Sequence, residues 1–272
     1  MDNHSSSSAG QINNMASKWS TADVILKGDC HFRAIQEILT PNIISTIPMI
    51  KDELDFSMIK DIPVEANEKW TEVNIFEQLS YQIARIAMRV FVGPEICRNE
   101  EWIKASLEYD VNVGTTVIML RMFPPFLHPF LARLMPSWYR AWGNIKTAER
   151  IIAPVVRERL AAKARGDYED EAPKDLLWWI LEEASEPERN PEQMGLRMLV
   201  VGLAALHTTS MAMSHAIYDL CQHPEYFKPL RQEMLEVLRE DGGWQKSTIH
   251  KLKLLDSFVK ETQRWSPASL ST

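Results

Sequence analysis

Between Arg197 and Asp219 the chain carries almost no charge, yet an imidazole and a run of hydroxyls stand in the middle of that stretch: His207, Thr208, Thr209 and Ser210. Placed among Met194, Met198, Val201, Ala204, Ala205, Met211 and Ile217, such groups cost free energy unless each finds a partner. A threonine in mid-helix can bond back to the carbonyl four residues earlier, which bends or opens the ladder and frees a carbonyl for water or ligand. The small pair Ala204-Ala205 just before it lets another body approach the backbone. The same residue types also allow a plain structural account. In it the hydroxyls are satisfied by their own helix and His207 is a hydrogen-bonded core histidine, the commoner fate of buried polar groups.

A second arrangement is Glu261-Thr262-Gln263-Arg264, with a carboxylate and a guanidinium one helical turn apart. The spacing recurs at Glu95/Arg98, Glu186/Arg189 and Glu236/Arg239, so on its own it reads as a solvated ion pair on a helix face. Cys30, Cys97 and Cys221 are far apart, form no C-x-x-C, and have no histidines at zinc spacing, which fits a reducing compartment. Asp52-Glu53-Leu54-Asp55 is the nearest approach to the aspartate-rich metal cluster of a terpene cyclase. It reads better as a charged helix face. The glycine-framed nucleophile and phosphate-binding loops are absent.

The elements that must position these groups are helices. With 45% hydrophobic and 25% charged residues, the 272-residue chain can bury a sizeable core, and only 10 glycines argue against a sheet-rich fold with many tight turns. Apolar periodicity predicts helices at roughly 30–39, 42–58, 73–92, 99–120, 137–165, 173–184, 191–222, 225–240 and 254–265. Thr40-Pro41, Gly93-Pro94 and Gly166-Asp167 mark stops, and Ala184 to Pro191 is the best candidate for an exposed loop. A net charge of −7 with no dense basic run excludes nucleic acid as a partner. The polar, serine-rich start is neither a signal peptide nor a membrane anchor, so residues 1–20 read as a disordered leader to a single domain over 21–272. Met119 to Met135 is apolar but is broken by Pro124, Pro125 and Pro129 and cannot cross a bilayer unaided.

The order of these pieces resembles a known family. A long helix with A-A-L-H-T-T, then H-P-E-Y-F-K-P-L-R-Q-E-M, then L-D-S-F-V-K-E-T-Q-R-W-S-P is similar to the I, J and K helices of a cytochrome P450. The family's I-helix motif, Ala/Gly-Gly-x-Asp/Glu-Thr-Thr/Ser, falls on Ala204 to Thr209 without a gap, and the K-helix Glu and Arg fall on Glu261 and Arg264. L-T-P-N-I-I-S-T-I-P-M-I-K-D-E-L (39–54) and F-V-G-P-E-I-C-R-N-E-E-W (91–102) resemble fungal members that oxidise terpenoids, the group that includes ent-kaurene oxidase. That group also tends to have histidine where other members have the acid. The resemblance covers about 24–272 and implies a mainly α, partial P450 fold from about the C helix to the K helix, truncated at both ends.

By this resemblance Thr208 helps deliver protons to the oxygen activated at a haem, and His207 feeds them from solvent in place of the usual acid. Ala204, Ala205 and Thr209 line the cofactor side, with Ala205 in place of the usual glycine. Glu261 and Arg264 form a buried structural ion pair completed by an arginine of a later segment. His31 and Arg33 contact a haem propionate as cations, although the usual Trp-x-x-x-Arg is missing. The resemblance further implies haem b, an NADPH-cytochrome P450 reductase, an apolar small-molecule substrate and, for complete members, the endoplasmic reticulum membrane. This chain, with no anchor, is expected to be cytoplasmic or membrane-peripheral. The family's axial cysteine lies in F-x-x-G-x-x-x-C-x-G, a pattern that does not occur here. No axial metal ligand is therefore assigned, and the chain alone is expected not to retain haem or activity. The other expectation is a cofactor-free helical protein that binds an apolar ligand or a partner.

Overall fold

The computed structural model describes residues 19, 21, 24, 28–62, 72–168 and 172–267. Most of the expected leader lies outside them. Among the described residues the regular elements are all helical, in the order α1 (Cys30–Arg33) continuing as a π-helical segment (Ala34–Leu39), α2 (Ile43–Asp61), α3 (Ile75–Phe91), α4 (Pro94–Cys97), α5 (Glu100–Arg121), α6 (His128–Leu134), α7 (Pro136–Arg165), α8 (Leu176–Glu183), α9 (Pro191–Gln222), α10 (Phe227–Asp241), α11 (Lys246–Lys251) and α12 (Lys253–Trp265). The mainly α expectation is met, and the nine helices read from periodicity all appear.

Local chemistry sets the ends. Asn99 caps α5 by accepting from the backbone N–H groups of Glu101 and Trp102 at 3.0 and 3.1 Å. Gly166 ends α7 in the left-handed region at φ 82°, which favours glycine. The stretch expected to be a loop, Ala184 to Pro191, folds into a 3-10 turn at Glu186–Glu188 under a capping box in which Ser185 N and Oγ both donate to the Glu188 carboxylate. In the π segment the chain carries one more residue per hydrogen-bonded loop than an α-helix, and it closes with Thr40 N donating to Ile35 O at 2.9 Å.

The contacts divide the chain into two units, residues 1–41 with 87–204 and residues 42–86 with 205–272; α3 and α9 contribute to both. In the first, α5 lies along α7. Apolar burial of Trp102, Tyr109, Ile145 and Ile152 is supplemented by polar links from Asn112 Nδ2 to Asn144 Oδ1 at 3.0 Å and between the Thr116 and Ser137 hydroxyls at 2.8 Å. Gly195 of α9 meets α7 so closely that a β-carbon would fall 2.8–2.9 Å from the backbone of Ala148 and Glu149. α8 is capped by Asp175, which accepts from Trp178 N at 2.9 Å and also takes both guanidinium nitrogens of buried Arg159 at 2.7 Å.

In the second unit, Arg85 of α3, buried to 1% exposure, donates to Asp61 at 2.9 Å and ties α3 to α2. Glu233 of α10 accepts from Leu254 N and Leu255 N at 2.7 and 3.0 Å, so a neighbouring helix supplies the N-terminal cap of α12.

Candidate functional site

α9 carries the central motif. Its first half is a core element, with Met194, Met198, Leu199 and Leu206 at 0–1% exposure. Around Leu206 the helix opens: Ala204, His207, Thr208 and Thr209 are exposed. Burial on most sides was expected, and the difference has a simple origin. Small and polar side chains at these positions cover little of that face. Ser210 and Ser214 bond back to the carbonyls of Leu206 and Ser210 at 2.7 and 2.8 Å, so here the plain account of satisfied hydroxyls holds. His207 meets Phe76 of α3 edge to face with ring centroids 5.9 Å apart.

Glu261 and Arg264 pair as their spacing suggests, with Arg264 Nη2 and Nε at 2.6 and 2.8 Å from the carboxylate and Trp265 Nε1 at 2.9 Å. The hydrogen bonds from Arg264 and Trp265 hold the Glu261 carboxyl down at about 2. Their side chains are about 60% exposed, whereas a buried pair was expected. Glu261 lines a groove of about 880 Å³ with Asp219, Tyr226, Phe258 and Trp265.

On the first unit, Arg33 is engaged by Glu183, donating to its carbonyl at 2.7 Å and standing 3.4 Å from its carboxylate. His31 is 2% exposed. Burial and the charge of Arg197 push its imidazole down to about 4, so it is a neutral donor near neutral pH and not the cation expected. Its Nδ1 lies 2.8 Å from Arg197 Nη1, while its Nε2 is buried without a partner among the described residues. Sequence reasoning did not assign Arg197 a role. The available signal was its position on the α9 face shared with Met194, Met198 and Val201, where a solvated arginine has no place.

A thiolate-bound haem needs an accessible, ionisable cysteine, and the three present do not fit. Cys30 and Cys97 are at 0% exposure. Burial pushes the Cys30 thiol up to about 11, and Cys97 Sγ points to Pro94 O at 3.5 Å. Cys221 is exposed on the last turn of α9. The unpartnered His31 Nε2 does suit a carboxylate such as a propionate. The described residues thus fit the periphery of a haem and not its iron.

Comparisons with known proteins agree with this helical order. The cytochrome P450 family model matches residues 2–272. The chain is 46% identical over 259 residues to cytochrome P450 monooxygenase AN1598 of Emericella nidulans, covering 95% of this chain and 48% of that protein. It is 43% identical over 269 residues to cytochrome P450 monooxygenase olcJ of Penicillium canescens (99% and 51% covered), and 39% identical over 261 residues to an ent-kaurene oxidase of Gibberella intermedia (96% and 48%). The chain therefore spans about half the length of the curated relatives it matches. Among solved structures, the retinoic acid-bound cyanobacterial CYP120A1 superposes with a TM-score of 0.58 at 18% identity, covering 86% of this chain and 47% of the other, which shows the fold alone. The chain belongs to the cytochrome P450 family of haem-dependent monooxygenases.

Proposed function

We propose that this chain supplies the oxygen-side helix and the K-helix pair of a monooxygenase that oxidises an apolar secondary metabolite, a terpenoid, with dioxygen and electrons from an NADPH-dependent reductase. One observation carries the reading: Ala204, His207, Thr208 and Thr209 stand exposed on a helix whose preceding turns are core, and their order is that of the family's oxygen-activation motif. The substrate class rests on similarity to the ent-kaurene oxidases. Haem, when bound, supplies the redox chemistry. The chain's own part is to hold a hydroxyl at Thr208, to offer an imidazole at His207, and to meet a propionate with His31, beside which Arg33 is already engaged by Glu183.

We further propose that the 272 residues alone do not hold haem through a thiolate, because Cys30 and Cys97 are buried and Cys221 is exposed. The test is to mix the chain with haemin, reduce it under carbon monoxide and record the difference spectrum. No thiolate band is expected. A clear band that disappears on replacing one cysteine by serine would overturn that statement and name the ligand.

A further inference from the structure

Arg197 is among the largest fully buried side chains, at 1% exposure, and its Nε and Nη2 have no hydrogen-bond partner among the described residues. Its Nη1 is 2.8 Å from His31 Nδ1. A guanidinium only donates and does not give up its proton in a protein. Nδ1 must therefore be the acceptor and carry no hydrogen, which leaves the ring proton on Nε2 and the ring uncharged. That Nε2 is itself buried and unpartnered among the described residues.

The other charged groups around the ring do not replace this contact. Asp29 stands 3.6 Å from Arg33, Glu183 of α8 is also taken by Arg33, and Glu188, held by Ser185, lends negative charge to the neighbourhood of Arg197 and Cys30. A buried donor left unpaired costs free energy. The arrangement becomes economical when an acceptor carrying negative charge meets Nε2.

We infer that Arg197 is a positioning residue that fixes His31 as the neutral Nε2–H tautomer and sets a permanent positive charge behind it, so that the pair presents a single N–H donor to a carboxylate. This rests on the proposal above that His31 meets a propionate and assigns the role of holding it to a residue of α9, 166 positions away in sequence. The logic is that of an outer hydrogen bond that sets the tautomer of a functional histidine.

The test is nitrogen-15 NMR of the imidazoles in the full chain, with His31 assigned by comparison with His31→Asn. At pH 7 Nδ1 is expected to be unprotonated and Nε2 protonated, with no titration until the pH falls to about 4. Arg197→Gln keeps a donor for Nδ1 but removes the charge; the tautomer should persist while the titration moves toward that of an ordinary histidine. Arg197→Met removes both, and the tautomers should then exchange. An imidazolium at pH 7 in the unaltered chain, or an unchanged titration in Arg197→Gln, overturns the inference even if Arg197→Met fails to fold. Zinc protoporphyrin and its dimethyl ester separate the two readings. A shift of the His31 Nε2–H signal with the free acid but not the ester supports the propionate contact. No shift with either removes that contact and leaves the tautomer result standing.

Discussion

Asp110, on α5, is a buried acid: it is 7% exposed, its Oδ1 has no hydrogen-bond partner among the described residues, and desolvation pushes its carboxyl up to about 8. Because the folded chain keeps this proton longer than the unfolded one, the contribution to stability is complete below the unfolded value of 3.8 and is lost as pH rises toward about 8. The loss is at most about 1.4 kcal/mol per pH unit across that window. Asp110→Asn should flatten the dependence and raise the urea midpoint at pH 8; equal midpoints for the two proteins at pH 8 would show that the acid is hydrated. At the same scale, Glu261→Gln removes an ion pair that is exposed on both sides, and the urea midpoint should stay where it is. The pairing of Glu261 with Arg264 was legible because it follows from helical spacing. Its exposure was not, since exposure depends on what packs against α12. The contact of His31 with Arg197 was likewise out of reach, because no periodicity links residues so far apart.

Among the elements, the crossing of α9 over α7 depends on one missing side chain. Gly195→Ala places a methyl against the Ala148 backbone, which cannot rotate away, and should cost about 1–3 kcal/mol of unfolding free energy by urea titration. A neutral result would mean that the two helices can separate without loss of packing. The pair Arg159–Asp175 is the opposite case to Glu261–Arg264: both side chains are under 10% exposed, and the same carboxylate caps α8. Asp175→Asn leaves a buried guanidinium uncompensated and should cost about 3–5 kcal/mol, readable as a drop in thermal midpoint. The long helices were legible because apolar stripes and caps such as Asn99 and Gly166 declare themselves within a few residues. α6 was not, because it lies in the proline-broken stretch 119–135, where Pro129 sits at a helix start and not within a helix.

For the molecule as a whole, the first unit exposes a run of large apolar side chains, with Phe126, Phe130 and Leu134 at 72%, 69% and 78%. Met122 at 63% extends it. Patches of this kind drive association. Replacing Phe126, Phe130 and Leu134 together by serine should raise the soluble fraction on expression and lower the binding of an apolar dye; no change in either would place the adhesive surface elsewhere. One helix, α9, is long and apolar enough to cross a bilayer by composition, but its first half is packed inside the first unit around Arg197. The family was legible from a short ordered set of motifs, because the chemistry of the I and K helices constrains residue types at fixed helical spacings. The charge state of His31 was not, because that is set by its burial and by Arg197.

The π-helical segment at Ala34–Leu39 has a consequence for how that region can be compared with its relatives. Its extra residue is absorbed inside the helix without a bulging loop, so the azimuth of each side chain after Arg33 slips relative to one counted along a regular α-helix. Counting from His31 to Pro41 therefore gives the wrong face. Two chains with the same motif but different spacing there can present the same groups, because deleting one residue from the segment would restore the α-helical hydrogen-bond pattern and leave the side chains beyond it facing as before.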